Sequence, residues 1–212
     1  LKNLKKITPE NINEKFVRAQ YNTSTEYPAL LAYNAESNVE PSSTTETFVA
    51  GKIESMNKNW EGVPIYIRTG KRMRGKETRI DIVFKKEQSN VYGNDEVSEN
   101  ILTINAGSNP GFSLQINNKV VGYHFDLAPI TMDYEIKEQA PDDYEKLLLN
   151  ALQGNKASFV YWEEVAYSWK YIDAIREAWD QDASNLLQYP VNTNGPTEAF
   201  KLLEKDGHKW VW

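Results

Sequence analysis

Arg79-Ile80-Asp81-Ile82-Val83-Phe84 places Ile80, Ile82 and Phe84 at every second position. A strand points successive side chains to opposite faces, so this spacing predicts one apolar face against a core and one polar face toward water or a partner. Working outward, similar short runs predict strands at 47–54, 64–68, 100–105, 112–117 and, in one or two pieces, 123–136. The connections are short, which suits an antiparallel meander. The polar, Gly- and Asn-containing stretch 87–99 reads as a surface loop.

The texture changes after residue 140. From Pro141, the residues Tyr144, Leu147, Leu148, Ala151 and Leu152 recur at helical spacing, with Gly154 as a stop. A second helix from about Glu163 repeats the rhythm with Val165, Trp169, Ile172, Ile175 and Trp179. Both apolar faces, and the aromatic residues on them, are expected to pack on the sheet. Strands followed by helices give an α+β class: a large, mainly antiparallel sheet with helices packed on one face. Near the start, Thr8 as a cap, Pro9 and Glu10 predict a helix that turns Phe16 and Val17 inward. Residues 22–46 read as a long loop, of a length that is uncommon in a compact domain unless it is functional or packs at a boundary. The organisation expected is a connector, short helix and loop over 1–46 and one α+β domain over 47–212.

The chemistry concentrates at 60–76, where Gly62-Val63-Pro64-Ile65-Tyr66-Ile67 leads into Arg68-Thr69-Gly70-Lys71-Arg72-Met73-Arg74-Gly75-Lys76, with five cations in the last nine residues. A strand that empties into a cationic turn fixes the backbone and aims ammonium groups at an anion. Gly70 and Gly75 are expected to provide the bends, and Lys71 and Lys76 to converge on one anion. A solvated basic hairpin tip is the other reading of the same residues.

Ser43-Thr44-Thr45-Glu46-Thr47-Phe48-Val49-Ala50, Trp60-Glu61-Gly62-Val63-Pro64 and Arg68-Thr69-Gly70-Lys71-Arg72 occur here in order. Downstream follow Ala140-Pro141-Asp142-Asp143-Tyr144-Glu145-Lys146, Tyr189-Pro190, Gly195-Pro196 and Asp206-Gly207-His208-Lys209-Trp210. Together they resemble the C-terminal half of the glucose-6-phosphate dehydrogenase family, from about Gln20 onward.

The resemblance implies the substrate-side and dimerisation domain of an enzyme that oxidises glucose 6-phosphate to 6-phosphogluconolactone with NADP in the oxidative pentose phosphate pathway. It implies a homodimer formed through the sheet, and a role for Lys71 and Lys76 in binding glucose 6-phosphate. Arg68 and Trp210 match positions that hold a second, structural NADP in some members. Here Asn194 stands before Gly195-Pro196 where those members have arginine, so that site is left unassigned. Ala19 in Arg18-Ala19-Gln20-Tyr21 replaces a common glycine, so the backbone there needs no positive φ or the segment has shifted.

The family's glycine-rich dinucleotide turn and histidine block do not occur in the sequence. Gly107 and Gly111, with Pro110 between them, read as a turn. His124 and His208 lack the family's neighbours and read as packed or surface residues, so no catalytic residue is assigned. Leu1 is not an initiator methionine, and the segment is expected to be a separated domain, inactive by itself. A stand-alone sugar-phosphate or anion-binding module without catalysis is the alternative.

Composition narrows the classes further. A formal charge of −6 disfavours nucleic acid as a partner. The absence of cysteine removes disulfides, thiolate nucleophiles and sulfur-ligated zinc, and no metal-ligand spacing is found. No apolar run has bilayer-spanning length, so no membrane is expected and the cytoplasm is the expected location.

Overall fold

The computed structural model describes residues 1–86, 97–107, 109–123, 126–136 and 143–211. Most of the expected 87–99 loop, His124, and Pro141 at the start of the first expected helix lie outside the described residues. Chain contacts group Leu1–Gly75 with Leu149–Trp212 in one unit and Lys76–Leu148 in another.

In the first unit the sheet order is β3-β2-β1-β8, formed by β1 (Phe16–Asn22), β2 (Phe48–Ile53), β3 (Ile65–Gly70) and β8 (Leu186–Pro190). β1 runs antiparallel to β2 and parallel to β8. The expected N-terminal helix is therefore mostly strand. Only α1 (Ile12–Lys15) is helical, and the stretch read as connector supplies the centre of the sheet. Phe16, Ala19, Gln20 and Tyr21 are all buried. A strand covered on both faces has no period-two alternation, which is why its pattern was not read as β.

Helices cover both faces of this sheet, where one covered face was expected. On one side Phe16, Val49 and Ile53 pack with Ile7, Ile12 and with Ile175, Ala178 and Trp179 of α3 (Trp162–Gln181). On the other, Ala19, Tyr21, Phe48, Ala50 and Tyr189 pack with Ala199, Leu202 and Leu203 of α4 (Glu198–Glu204). Each fully buried aliphatic or aromatic side chain contributes roughly 1.5–3 kcal/mol of transfer energy.

Arg18, buried between β1 and α3, donates to the carbonyls of Trp179 (3.1 Å) and Asp182 (2.9 Å) and to Asn185 Oδ1 (3.1 Å). These bonds satisfy carbonyls that the end of α3 leaves without helical partners.

Only the last turns of α3 reach the sheet. A 20-residue helix is ~30 Å long, whereas strands of six or seven residues span about 20 Å. The expected core placement therefore holds for Ile175 and Trp179 and fails for Trp169 and Ile172, which are exposed. In α2 (Asp143–Leu152) Tyr144, Leu148 and Leu152 are exposed as well, so its apolar stripe does not pack as expected.

The second unit is a four-stranded antiparallel meander, β4 (Arg79–Val83), β5 (Ile101–Asn105), β6 (Gly111–Lys119) and β7 (Leu127–Glu135). The α+β, mainly antiparallel plan holds, with its strands divided between two sheets instead of one. The register aligns Ile80, Ile104, Phe112 and Tyr134 in one cross-strand row and Ile82, Leu102, Leu114 and Met132 in the next. The opposite face is polar: Asp81 accepts from Arg79 Nε (3.0 Å) and Thr103 Oγ1 (2.7 Å). The apolar face is open, with Ile80, Ile82, Ile104, Phe112, Met132 and Tyr134 between 38% and 59% exposed.

The N-terminal segment is tied to β2 by charge. Glu54 is bridged by Lys5 (2.9 Å) and Lys15, and the hydrogen bond from Lys15, with that from Lys5, pulls its pKa from 4.5 to about 2. A carboxylate whose folded pKa is depressed stabilises the fold above its unfolded pKa and loses that contribution as pH falls through the folded value. The stability difference between wild type and Glu54→Gln is thus expected to be full near neutrality and to shrink from about pH 4.5 toward pH 2. Urea midpoints measured across that window test it, and a pH-independent difference would be inconsistent with the bridge.

Candidate functional site

The Arg-Thr-Gly-Lys turn is built on the β2–β3 pair, where Phe48 lies opposite Gly70 and Ala50 opposite Arg68. Gly70 does not bend the chain as expected. A Cβ there would lie 2.8 Å from the Phe48 ring and 2.9 Å from Met73 Sδ, so the glycine permits close packing. The bend falls at Arg72, a non-glycine residue with φ of 51°.

Neighbours hold that backbone from several sides. Lys71 N–H donates to Thr47 O at 2.8 Å, and the Tyr189 hydroxyl donates to Lys71 O at 2.5 Å. Asn192 N–H donates to Arg72 O (2.8 Å), and Arg74 N–H donates to Thr193 O (3.0 Å). The Arg72 guanidinium donates to Glu36 Oε1 (3.0 Å), which also accepts from the Tyr21 hydroxyl (3.2 Å), and it lies 5.9 Å from the Tyr21 ring centre. Glu36 raises the Arg72 pKa, while burial and then Glu36 raise that of Tyr21. The loop read at 22–46 braces this turn through Glu36 and anchors to β1 where Gln20 Nε2 donates to the carbonyls of Ser43 and Thr45, both at 2.8 Å.

The lysines behave differently from this framework. Lys71 is exposed, and among the described residues its ammonium has no ion-pair partner. Lys76 is exposed too and begins the second unit, so each lysine is described within its own unit.

Arg68 and Trp210 come together. The guanidinium carbon lies 4.6 Å from the indole centre, Tyr66 meets the ring edge-on at 6.4 Å, and Trp210 Nε1 donates to Ala199 O at 3.0 Å. His208, read as a packed or surface residue, is exposed and contacts the Tyr66 ring at 5.8 Å. Tyr66 donates to Asp206 (2.5 Å), which also pairs with Lys52 (2.7 Å); burial is the larger cause of the raised Tyr66 pKa. Trp60, Gly62, Val63 and Pro64 line an open hollow of about 420 Å³ that Lys71 does not border.

Sequence reading singled out Lys71 and Lys76 and did not anticipate Tyr189, Glu36 and Asn192 as supports of the Lys71 turn. Tyr189-Pro190 stood among the matching blocks, but nothing local connects it to a turn 118 residues away. Among the described residues no cluster of His, Cys, Asp and Glu could hold a metal, and no helix is long and apolar enough to cross a membrane.

Comparison with known proteins gives matches along the whole chain. The glucose-6-phosphate 1-dehydrogenase of Streptococcus pneumoniae is 41% identical over 216 residues, covering 100% of this chain and 43% of that protein. Its Bacillus subtilis counterpart is 40% identical, covering 99% and 44%. Among solved structures, a glucose-6-phosphate dehydrogenase in complex with its substrate glucose-6-phosphate shares the fold, with a TM-score of 0.87 at 24% identity over 100% of this chain and 43% of that one. Glucose-6-phosphate 1-dehydrogenase from Mycobacterium avium aligns with a TM-score of 0.77, also at 24% identity and over the same shares. The chain thus spans less than half the length of these relatives. Residues 1–211 match the family described as "Glucose-6-phosphate dehydrogenase, C-terminal domain", and with the strand, turn and helix blocks in place the chain belongs to that family.

Proposed function

We propose that this chain is the substrate-side and dimerisation domain of a glucose-6-phosphate 1-dehydrogenase, oxidising glucose 6-phosphate at C1 with NADP in the cytoplasm. The observation that carries the reading is the Lys71 turn, with a backbone held on both sides and an exposed ammonium that has no ion-pair partner among the described residues. A sugar phosphate brings about −1.5 to −2 charges near neutral pH and three strong acceptor oxygens. Lys71 and Lys76 are assigned to neutralising part of that charge and orienting the ester, while proton removal from the C1 hydroxyl belongs to a residue outside this chain.

NADP, when bound by the missing part of the enzyme, supplies the hydride acceptor. Arg68 covers one face of Trp210, so a dinucleotide ring stacking on that face has to displace the guanidinium. With Asn194 offering no cation, we assign no second dinucleotide site to this pair.

The apolar face of the second sheet supports the dimer. At ~4.8 Å between strands and ~3.3 Å per residue, four strands present roughly 400–500 Å² of pleated surface, in the range of the largest exposed patch on a monomer, which is often functional. The partner assigned is a second copy of the same face about a twofold axis.

The test is an assay of NADP reduction by glucose 6-phosphate with the full-length gene product and with the 212-residue chain in parallel. The full-length protein is expected to turn over and the chain alone to be silent. Full-length protein without this activity, or turnover by the isolated chain, would refute the reading.

A further inference from the structure

Tyr189 is 1% exposed, and its ring packs at a tilt against Phe48, with ring centres 5.3 Å apart. A phenylalanine would serve that packing equally. The hydroxyl does something else: it donates to the carbonyl of Lys71 at 2.5 Å, one residue beyond the end of β3, where no strand partner takes that carbonyl. Thr47 O, one residue before β2, takes the Lys71 amide. One residue further, Arg72 sits at a positive φ that costs on the order of 1 kcal/mol or more for a side chain of this kind, and Glu36 holds its guanidinium. These bonds thus hold the backbone of a residue whose own ammonium has no ion-pair partner among the described residues.

We infer that Tyr189, from beneath the turn, and Glu36, acting through Arg72 from its outer side, are positioning residues for the Lys71 anion site. They fix the direction in which the ammonium leaves the sheet, so binding spends less free energy on ordering the turn. The inference rests on the proposed role of Lys71 in holding the substrate phosphate, and neither residue touches substrate.

The experiment is a pair of double-mutant cycles in the full-length gene product, Tyr189→Phe with Lys71→Ala and Glu36→Gln with Lys71→Ala. KM for glucose 6-phosphate, kcat and melting temperature are read for each variant. Each single positioning variant is expected to raise KM about 2- to 10-fold with kcat unchanged, and to do so no longer once Lys71 is alanine. Should Tyr189→Phe fail to fold, the Glu36→Gln cycle decides by the same criterion. Equal shifts in both backgrounds, or a lower melting temperature with KM untouched, would overturn the inference and leave the role of Lys71 intact. An unchanged KM for Lys71→Ala alone would instead bring down the substrate reading, and the inference with it.

Discussion

Replacing Lys71 by alanine is expected to raise the KM of the full-length enzyme for glucose 6-phosphate by about 10- to 100-fold while leaving kcat nearly unchanged. A charge-assisted contact contributes about 1.5–3 kcal/mol, and each 1.4 kcal/mol is a tenfold change in affinity. The phosphate is remote from C1 and keeps its charge through the reaction, so its contact stabilises ground and transition states alike and its loss falls on KM. Stability should hardly move, because the Lys71 side chain is exposed and its backbone bonds survive truncation. Lys71→Arg keeps the charge and is expected to retain part of the affinity, although its planar fork does not reproduce the compact ammonium. Initial-rate kinetics decide the matter, and wild-type KM in Lys71→Ala would remove the basis of the substrate assignment.

The other large effect is expected at the apolar sheet face. Ile82 lies in the row with Leu102, Leu114 and Met132, and Ile82→Glu would carry a carboxylate into each half of the proposed twofold interface. Burying an unpaired charge costs several kcal/mol, so dimer dissociation is expected to strengthen by about 100-fold or more. Ile82 is 42% exposed in the single chain, so the folded protomer should tolerate the change. Sedimentation over a concentration series reads both quantities. A wild-type protein that stays monomeric at high concentration would exclude the twofold packing, and an Ile82→Glu dimer as tight as wild type would place the interface elsewhere.

The sequence was most readable where one face of an element meets water. β4 announced itself through Ile80 and Ile82 because its other face is polar, and the neighbouring strands followed from their short connections. β1 hid because side chains from both of its faces are buried, and because the Thr8-Pro9-Glu10 cap signal pointed to a longer helix than Ile12–Lys15. β8 and α4 are five and seven residues long, too short for a periodic signal. The apolar stripe of α2 was read correctly as a stripe, but periodicity fixes only which residues share a face and not what covers them.

From its residues alone, then, this chain determines its family and its α+β class, since each is written in neighbouring positions or in ordered blocks. The tertiary structure alone decided that Phe16–Asn22 forms the centre of a sheet, that helices cover both its faces, and that Tyr189 and Glu36 brace the Lys71 turn. The physical reason is that those contacts join residues far apart in sequence. Closing such loops costs entropy that only packing across the whole core offsets, so their partners leave no local trace.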